Sequence, residues 1–191
     1  MSYECWVQDD DEIDLYGYER YIFPRSTCKG GGVELFYKTK WINVITVLDN
    51  IYDSIIWVKI NQHNGNKCTA IAFCYIPPEN SVFYDFCDVD LHVYDCLEGS
   101  VAHFKDSYNV YVAGDLNSRT GTRDDFIYNN NLDKSVLNAI STIYDYDDGS
   151  ECCMDILVNT FGRKLISLCE TTGLRIVNGR HSQDPNGNIT F

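Results

Sequence analysis

The sequence predicts an α/β fold, and three observations carry that reading. The first third holds short β-branched and aromatic runs separated by turn-type clusters. The spacing of apolar residues then changes from strand-like to helical after the pair Pro77-Pro78. A second alternation of strand and helix occupies the rest of the chain, and such alternation is the mark of α/β architecture. With 191 residues, 45% of them hydrophobic and only four prolines, no linker divides the chain. One domain over 1–191 is therefore expected, large enough to bury a core.

In order, the strand candidates are 33–38 (VELFYK), 42–48 (INVITVL) and 55–60 (IIWVKI). A polar turn around Asn64-Gly65 leads into 68–75 (CTAIAFCY), a nearly continuous apolar run of the kind buried on both faces. Proline cannot donate to a ladder, so Pro77 and Pro78 end it. From Ser81, a candidate N-cap, to about Lys105, the residues Val82, Phe83, Phe86, Val89, Val93, Tyr94, Leu97 and Val101 recur mostly at three and four. That spacing predicts an amphipathic helix with a break near Gly99. Residues 109–113 (NVYVA) read as a strand, and a polar loop follows from Ser118 to about Val158. The segment 161–171 (FGRKLISLCET) has helical period with Gly173 as its stop, and 174–177 (LRIV) is expected as a strand.

Composition excludes several classes of function. There are 28 acidic and 15 basic residues, a net charge of −13, which argues against holding nucleic acid by bulk electrostatics. It leaves room for an enzyme that meets phosphates through a divalent cation. No apolar run approaches the ~18 residues of a membrane span, so no membrane partner is expected. The N-terminus lacks the basic start and apolar stretch of a signal peptide, and an intracellular location is the expectation. Nine cysteines contain no Cys-x-x-Cys spacing and read as reduced thiols, the vicinal Cys152-Cys153 included.

Among candidate sites, Gly114-Asp115-Leu116-Asn117 at the end of a strand is the most informative. A carboxylate and a carboxamide two apart can both project into a cleft; the Asp can orient a water or ligate a hard cation, and the Asn amide can donate to a phosphate oxygen. An Asp-x-Asn after a strand is also a common turn-former. The acidic runs at Asp9 to Glu12 and Asp145 to Glu151 read as solvated loops without EF-hand order, and Gly30-Gly31-Gly32 lacks the Lys-Ser/Thr of a P-loop. Arg119 and Arg123 are candidate contacts for a backbone phosphate.

The motifs also occur in a definite order: Glu4-Cys5-Trp6, Gly30-Gly31-Gly32-Val33, Tyr75-Ile76-Pro77-Pro78, then VAGDLNSRTG from Val112 and FGRKLISLCETTGLRIVN from Phe161. This series resembles the endonuclease/exonuclease/phosphatase family, and within it the endonuclease domains of LINE-type (non-LTR) retrotransposons. The resemblance runs from Glu4 to Phe191. It implies an α/β sandwich of four layers, two packed β-sheets flanked by helices. It also implies a Mg²⁺-dependent phosphodiester hydrolase acting on DNA. By this resemblance Glu4 is the magnesium-ligating carboxylate, in a Glu-Cys-Trp that looks like the family's Glu-Thr-Trp or Glu-Thr-His. Tyr75 donates its hydroxyl to the scissile phosphate, Asp115 positions the attacking water, and Asn117 bonds the phosphate.

The departures from the family pattern set a second expectation. Only three residues precede Glu4, where the family has a strand ending in a metal-binding Asn, and the family's closing Asp and Ser-Asp-His do not occur before Phe191. The expectation is a sandwich incomplete at both ends, with exposed edges that a protein partner could complete, and weak or absent catalysis. Of the four histidines, His63 falls in a turn, His92 and His103 on the expected helix and His181 in a loop. Two other readings stay open. One is a superfamily phosphatase or phosphodiesterase acting on a different phosphoester; the other is a non-catalytic, acidic protein-binding module with poor DNA affinity.

Overall fold

Seven strands and two helices run through the described residues. They are β1 (Ser2–Cys5), β2 (Tyr18–Phe23), β3 (Gly32–Lys38), β4 (Ile45–Val47), β5 (Ile55–Ile60), β6 (Thr69–Tyr75), α1 (Val93–Phe104), β7 (Asn109–Asp115) and α2 (Thr160–Thr172). The structure is a computed structural model, and it describes residues 2–5, 13–23, 32–48, 52, 54–61, 67–85, 92–125 and 156–178. The chain divides into two compact units, Met1–Asn117 and Ser118–Phe191.

The first unit is an α/β arrangement of two packed sheets. One sheet has the order β1-β3-β2, all antiparallel; the other has the order β4-β5-β6-β7. In the second sheet β4, β5 and β6 are antiparallel neighbours, while β6 and β7 run parallel, joined by the crossover that contains α1. The sheets meet through Val33 and Leu35 of β3 against Ile56 and Val58 of β5, with Phe23, Tyr37, Phe73 and Tyr75 around them. The period of two turns Trp57 to the opposite face, where its ring meets Phe104 of α1 at 4.7 Å. Its cross-strand partner there is Ala72, and Ala70, Ala72 and Cys74 are all buried. Such small side chains let a helix approach the sheet closely. Thus β5 is covered on both sides, which is why Ile55, Ile56, Trp57 and Val58 form an uninterrupted apolar run. Each fully buried side chain of this kind contributes about 1.5–3 kcal/mol.

Five expectations need correction. The run 42–48 forms a strand only over Ile45–Val47. A 3-10 turn at Thr39–Trp41 and the bonds Ile42 N to Thr39 O and Val44 N to Trp41 O curl the chain before it. The segment from Ser81 to Lys105 is not one helix: a short 3-10 turn covers Val82–Asp85, residues 86–91 lie outside the description, and α1 begins after His92. His92, not Ser81, is the N-cap, its Nδ1 accepting from Tyr94 N. Gly99 lies within α1 without breaking it.

The last correction concerns the second unit. There α2 matches the expected helix closely, with Asn159 as N-cap and Gly173 closing it in the left-handed region at φ 80°. Residues 174–177, however, form no strand. Instead Ile176 N donates to the carboxylate of Asp125 at 2.5 Å, and Arg175 reaches the Asp125 carbonyl oxygen. Asp125 is fully buried, so its backbone and side chain satisfy polar groups that a sheet ladder would otherwise take. Neither β1 nor β2 is expected from the sequence. Strand β2 reads YERYIF, and its charges hide the pattern until the Arg20–Glu34 ion pair to β3 is seen.

Candidate functional site at the ends of β6 and β7

Parallel strands end side by side, and ligands of α/β proteins bind at their carboxyl ends. Here the ladder places Tyr75 opposite Asp115 at the last rung of β6 and β7. The chain then turns sharply. Gly114 has φ 131°, and a Cβ there would lie 2.0 Å from the Cys74 carbonyl oxygen, so only glycine fits. Asn117 adopts φ 47°, a left-handed conformation that asparagine tolerates. Its backbone N–H donates to Asp115 Oδ1 at 2.9 Å, which closes an Asx turn.

Two reciprocal bonds clasp this turn to the end of β6. Ile76 N donates to the Asp115 carbonyl oxygen at 2.8 Å, and Asn117 Nδ2 donates to the Ile76 carbonyl oxygen at 2.8 Å. On the other side, Tyr75 N donates to Ser54 O at 2.9 Å, which extends the β5–β6 ladder by one step. Ser54 is fully buried, and its hydroxyl has no hydrogen-bond partner among the described residues. Asp115 is exposed, whereas Tyr75 and Asn117 are half-buried. The outcome is a carboxylate facing solvent from a turn whose backbone is fixed on both sides.

Three of the four residues singled out from the sequence therefore come together: Tyr75, Asp115 and Asn117. Glu4 lies on β1, which pairs with β3 in the other sheet and approaches β6. Among the described residues no group of three or more His, Cys, Asp or Glu could hold a metal ion. The described side chains offer one carboxylate at this site and do not by themselves make a magnesium cage, which needs several oxygen ligands. His92 caps α1, and His103 is exposed near the end of that helix. His63 and His181 lie outside the described residues, as do the acidic runs 9–12 and 145–151, Cys152-Cys153 and Gly30-Gly31. Arg119 and Arg123 are exposed in the second unit.

The residues that follow the GDLN turn in sequence have a structural role within the second unit. Asn159 Oδ1 accepts from both Gly162 N, at 2.6 Å, and Arg119 N, at 3.0 Å. A Cβ on Gly162 would lie 1.9 Å from the Arg119 carbonyl oxygen, and Thr120 forms a β-bridge with Val158. The specific wording of both SRTG and VNTFG thus reflects one clasp, which sequence spacing gives no means to see. Ser54 likewise leaves no signal in the sequence, because a single buried hydroxyl has no pattern. No protein-family model, curated protein or solved structure matches the chain. No helix among the described residues is long and apolar enough to cross a membrane.

Proposed function

We propose that the ends of β6 and β7 form a phosphodiester-recognising site of the nuclease type, with DNA as its partner and with weak or no turnover. The observation that carries this reading is the pairing of Tyr75 with Asp115 at the last parallel rung, with Asn117 locking the turn. In the hydrolysis such a site performs, a water attacks phosphorus and the P–O bond to one alcohol breaks, leaving a phosphomonoester. Asp115 would orient the water, and Tyr75 and Asn117 would donate to the phosphate oxygens as negative charge grows there. Mg²⁺ is the cation the resemblance implies, with Glu4 as its first candidate ligand. Weak turnover is part of the proposal because no histidine of the described residues stands in this clasp. A positioned acid or base is typically worth about 10²–10⁴-fold.

The test is equilibrium binding of a fluorescent DNA duplex together with nicking of supercoiled plasmid, each with Mg²⁺ and with EDTA. The expected result is Mg²⁺-dependent binding that Asp115→Ala abolishes, with nicking near background. The slope of log K against log salt should be shallower than about −3, because a chain of net charge −13 neutralises few phosphates. Rapid nicking that EDTA and Asp115→Ala both remove would overturn the weak-turnover part. A folded chain that binds no duplex would overturn DNA as the partner. Hydrolysis of bis(p-nitrophenyl) phosphate by that same chain would then favour a different phosphoester.

The charge supports a second reading, a non-catalytic acidic module that binds protein. It predicts a chain that neither binds duplex nor hydrolyses either substrate.

A further inference from the structure

Both loops of the candidate site are also held from behind, and by the same structure. Tyr94, buried on the first turn of α1, donates its hydroxyl to the Leu116 carbonyl oxygen at 2.8 Å, inside the GDLN turn. Tyr84 donates its hydroxyl to the Pro77 carbonyl oxygen at 2.8 Å, in the loop that leaves β6. The His92 ring pairs with both phenols. Its centroid is 6.3 Å from Tyr84 at an interplanar angle of 11° and 5.9 Å from Tyr94 at 23°, both in the range of stacked aromatic pairs. His92 is fixed in turn, because Nδ1 accepts from Tyr94 N at 3.3 Å. Three linked rings therefore present two hydroxyls, one bonded to each strand-end loop.

We propose that Tyr84, His92 and Tyr94 act as a positioning bracket that couples the two loops, so that Tyr75 and the Asp115–Asn117 turn keep one spacing. The role assigned to that spacing rests on the phosphodiester reading above; the coupling itself does not. Rigid spacing matters in such a site, since a displacement of about 1 Å can cost about 100-fold in rate. Direct bonds between Ile76 and the Asp115–Asn117 turn already join the loops. The bracket adds a second connection through the helix N-terminus, so a movement of either loop is transmitted to the other through stacked rings.

Amide hydrogen exchange of the full-length chain tests the coupling. Tyr94→Phe and Tyr84→Phe each keep the ring and remove one hydroxyl. If the bracket couples the loops, Tyr84→Phe, which removes the bond to Pro77, raises exchange at Asn117 about fivefold, and Tyr94→Phe, which removes the bond to Leu116, does the same at Ile76. The double variant then falls short of the product of the two effects. Purely local changes, each confined to the loop its own hydroxyl touches, would overturn the proposal. A histidine pair separates stacking from capping: His92→Asn keeps an N-cap acceptor and loses the ring, whereas His92→Phe keeps the ring and loses the acceptor. Coupling is expected to persist in His92→Phe and to vanish in His92→Asn; the reverse would overturn it. Duplex binding measured on the same samples keeps the two readings apart. Coupled loops in a chain that binds no duplex leave the bracket standing and remove its assigned ligand, while tight Mg²⁺-dependent binding without coupling removes the bracket alone.

Discussion

At Gly114 the backbone of β7 passes so close to β6 that a methyl group has nowhere to go. Alanine there would bring Cβ to 2.0 Å from a backbone oxygen, in a conformation that L-residues rarely adopt. Overpacking and backbone strain each cost roughly 1–3 kcal/mol, so Gly114→Ala should destabilise the first unit by about 3–5 kcal/mol in urea unfolding. Gly99 is the control. It lies inside α1, is exposed, and a Cβ there would meet nothing within 4 Å. Gly99→Ala should therefore stabilise by about 0.5–1 kcal/mol, because alanine favours the helix and restricts the unfolded chain. Equal effects at the two positions would contradict the geometry. The same residue scale shows what a sequence can and cannot disclose about the site. Asp115 and Asn117 announce themselves by a short polar signature after an apolar strand. Ser54 and Tyr94 do not, since one is a lone small polar residue and the other occupies a core position of a helix.

Among the elements, α2 depends on a single side chain at its start. Asn159 Oδ1 takes the Gly162 amide of the first turn and also the Arg119 amide of a preceding loop. Asn159→Ala should thus cost more than an ordinary cap, about 2 kcal/mol against the usual ~1, whereas Asn159→Asp should keep most of it. Thermal unfolding monitored by circular dichroism at 222 nm would distinguish these outcomes; equal melting of the two variants would show that the cap is unimportant. The elements also divide by how local their causes are. Strands β5, β6 and β7 and helix α2 were legible because apolar run, period and cap all lie within the segment itself. The region 174–177 reads as a strand by the same rules, yet its amide partner is the carboxylate of Asp125, 51 positions away. Strand β2 is missed in the opposite sense, since Arg20 looks like a surface residue until β3 supplies Glu34. The 3-10 turn at Val82–Asp85 mimics helical spacing over one turn, so spacing alone does not separate it from α1.

For the molecule as a whole, the buried thiols set a limit on alkaline stability. Burial pushes the Cys74 thiol up to about 12 from 9.0. Burial first, and the Asp95 carboxylate second, also push Cys96 up. Well below pH 9 the thiols are neutral in folded and unfolded chains alike, so they leave stability unchanged. As pH rises from 9 toward 12 the unfolded chain releases the Cys74 proton while the folded chain retains it, and stability falls. One such group contributes a slope of up to about 1.4 kcal/mol per pH unit. The expected outcome is a loss between pH 9 and 10.5 that is shallower in Cys74→Ala than in the parent chain, measured by urea titration at each pH. Parallel slopes would show that Cys74 ionises freely in the folded state.

The parallel pairing of β6 with β7 also carries a consequence in time. Strands β5 and β6 are sequential antiparallel neighbours, whereas the Asn117–Ile76 clasp joins residues 41 positions apart across a crossover. Closing so long a loop must precede any return from the contacts it makes. Tyr75 and Asp115 therefore become neighbours only after the α1 crossover has docked. A nascent or partly refolded chain can own a complete β5–β6 hairpin while the Tyr75–Asp115 pair is still apart, so the proposed site is assembled among the last events of folding.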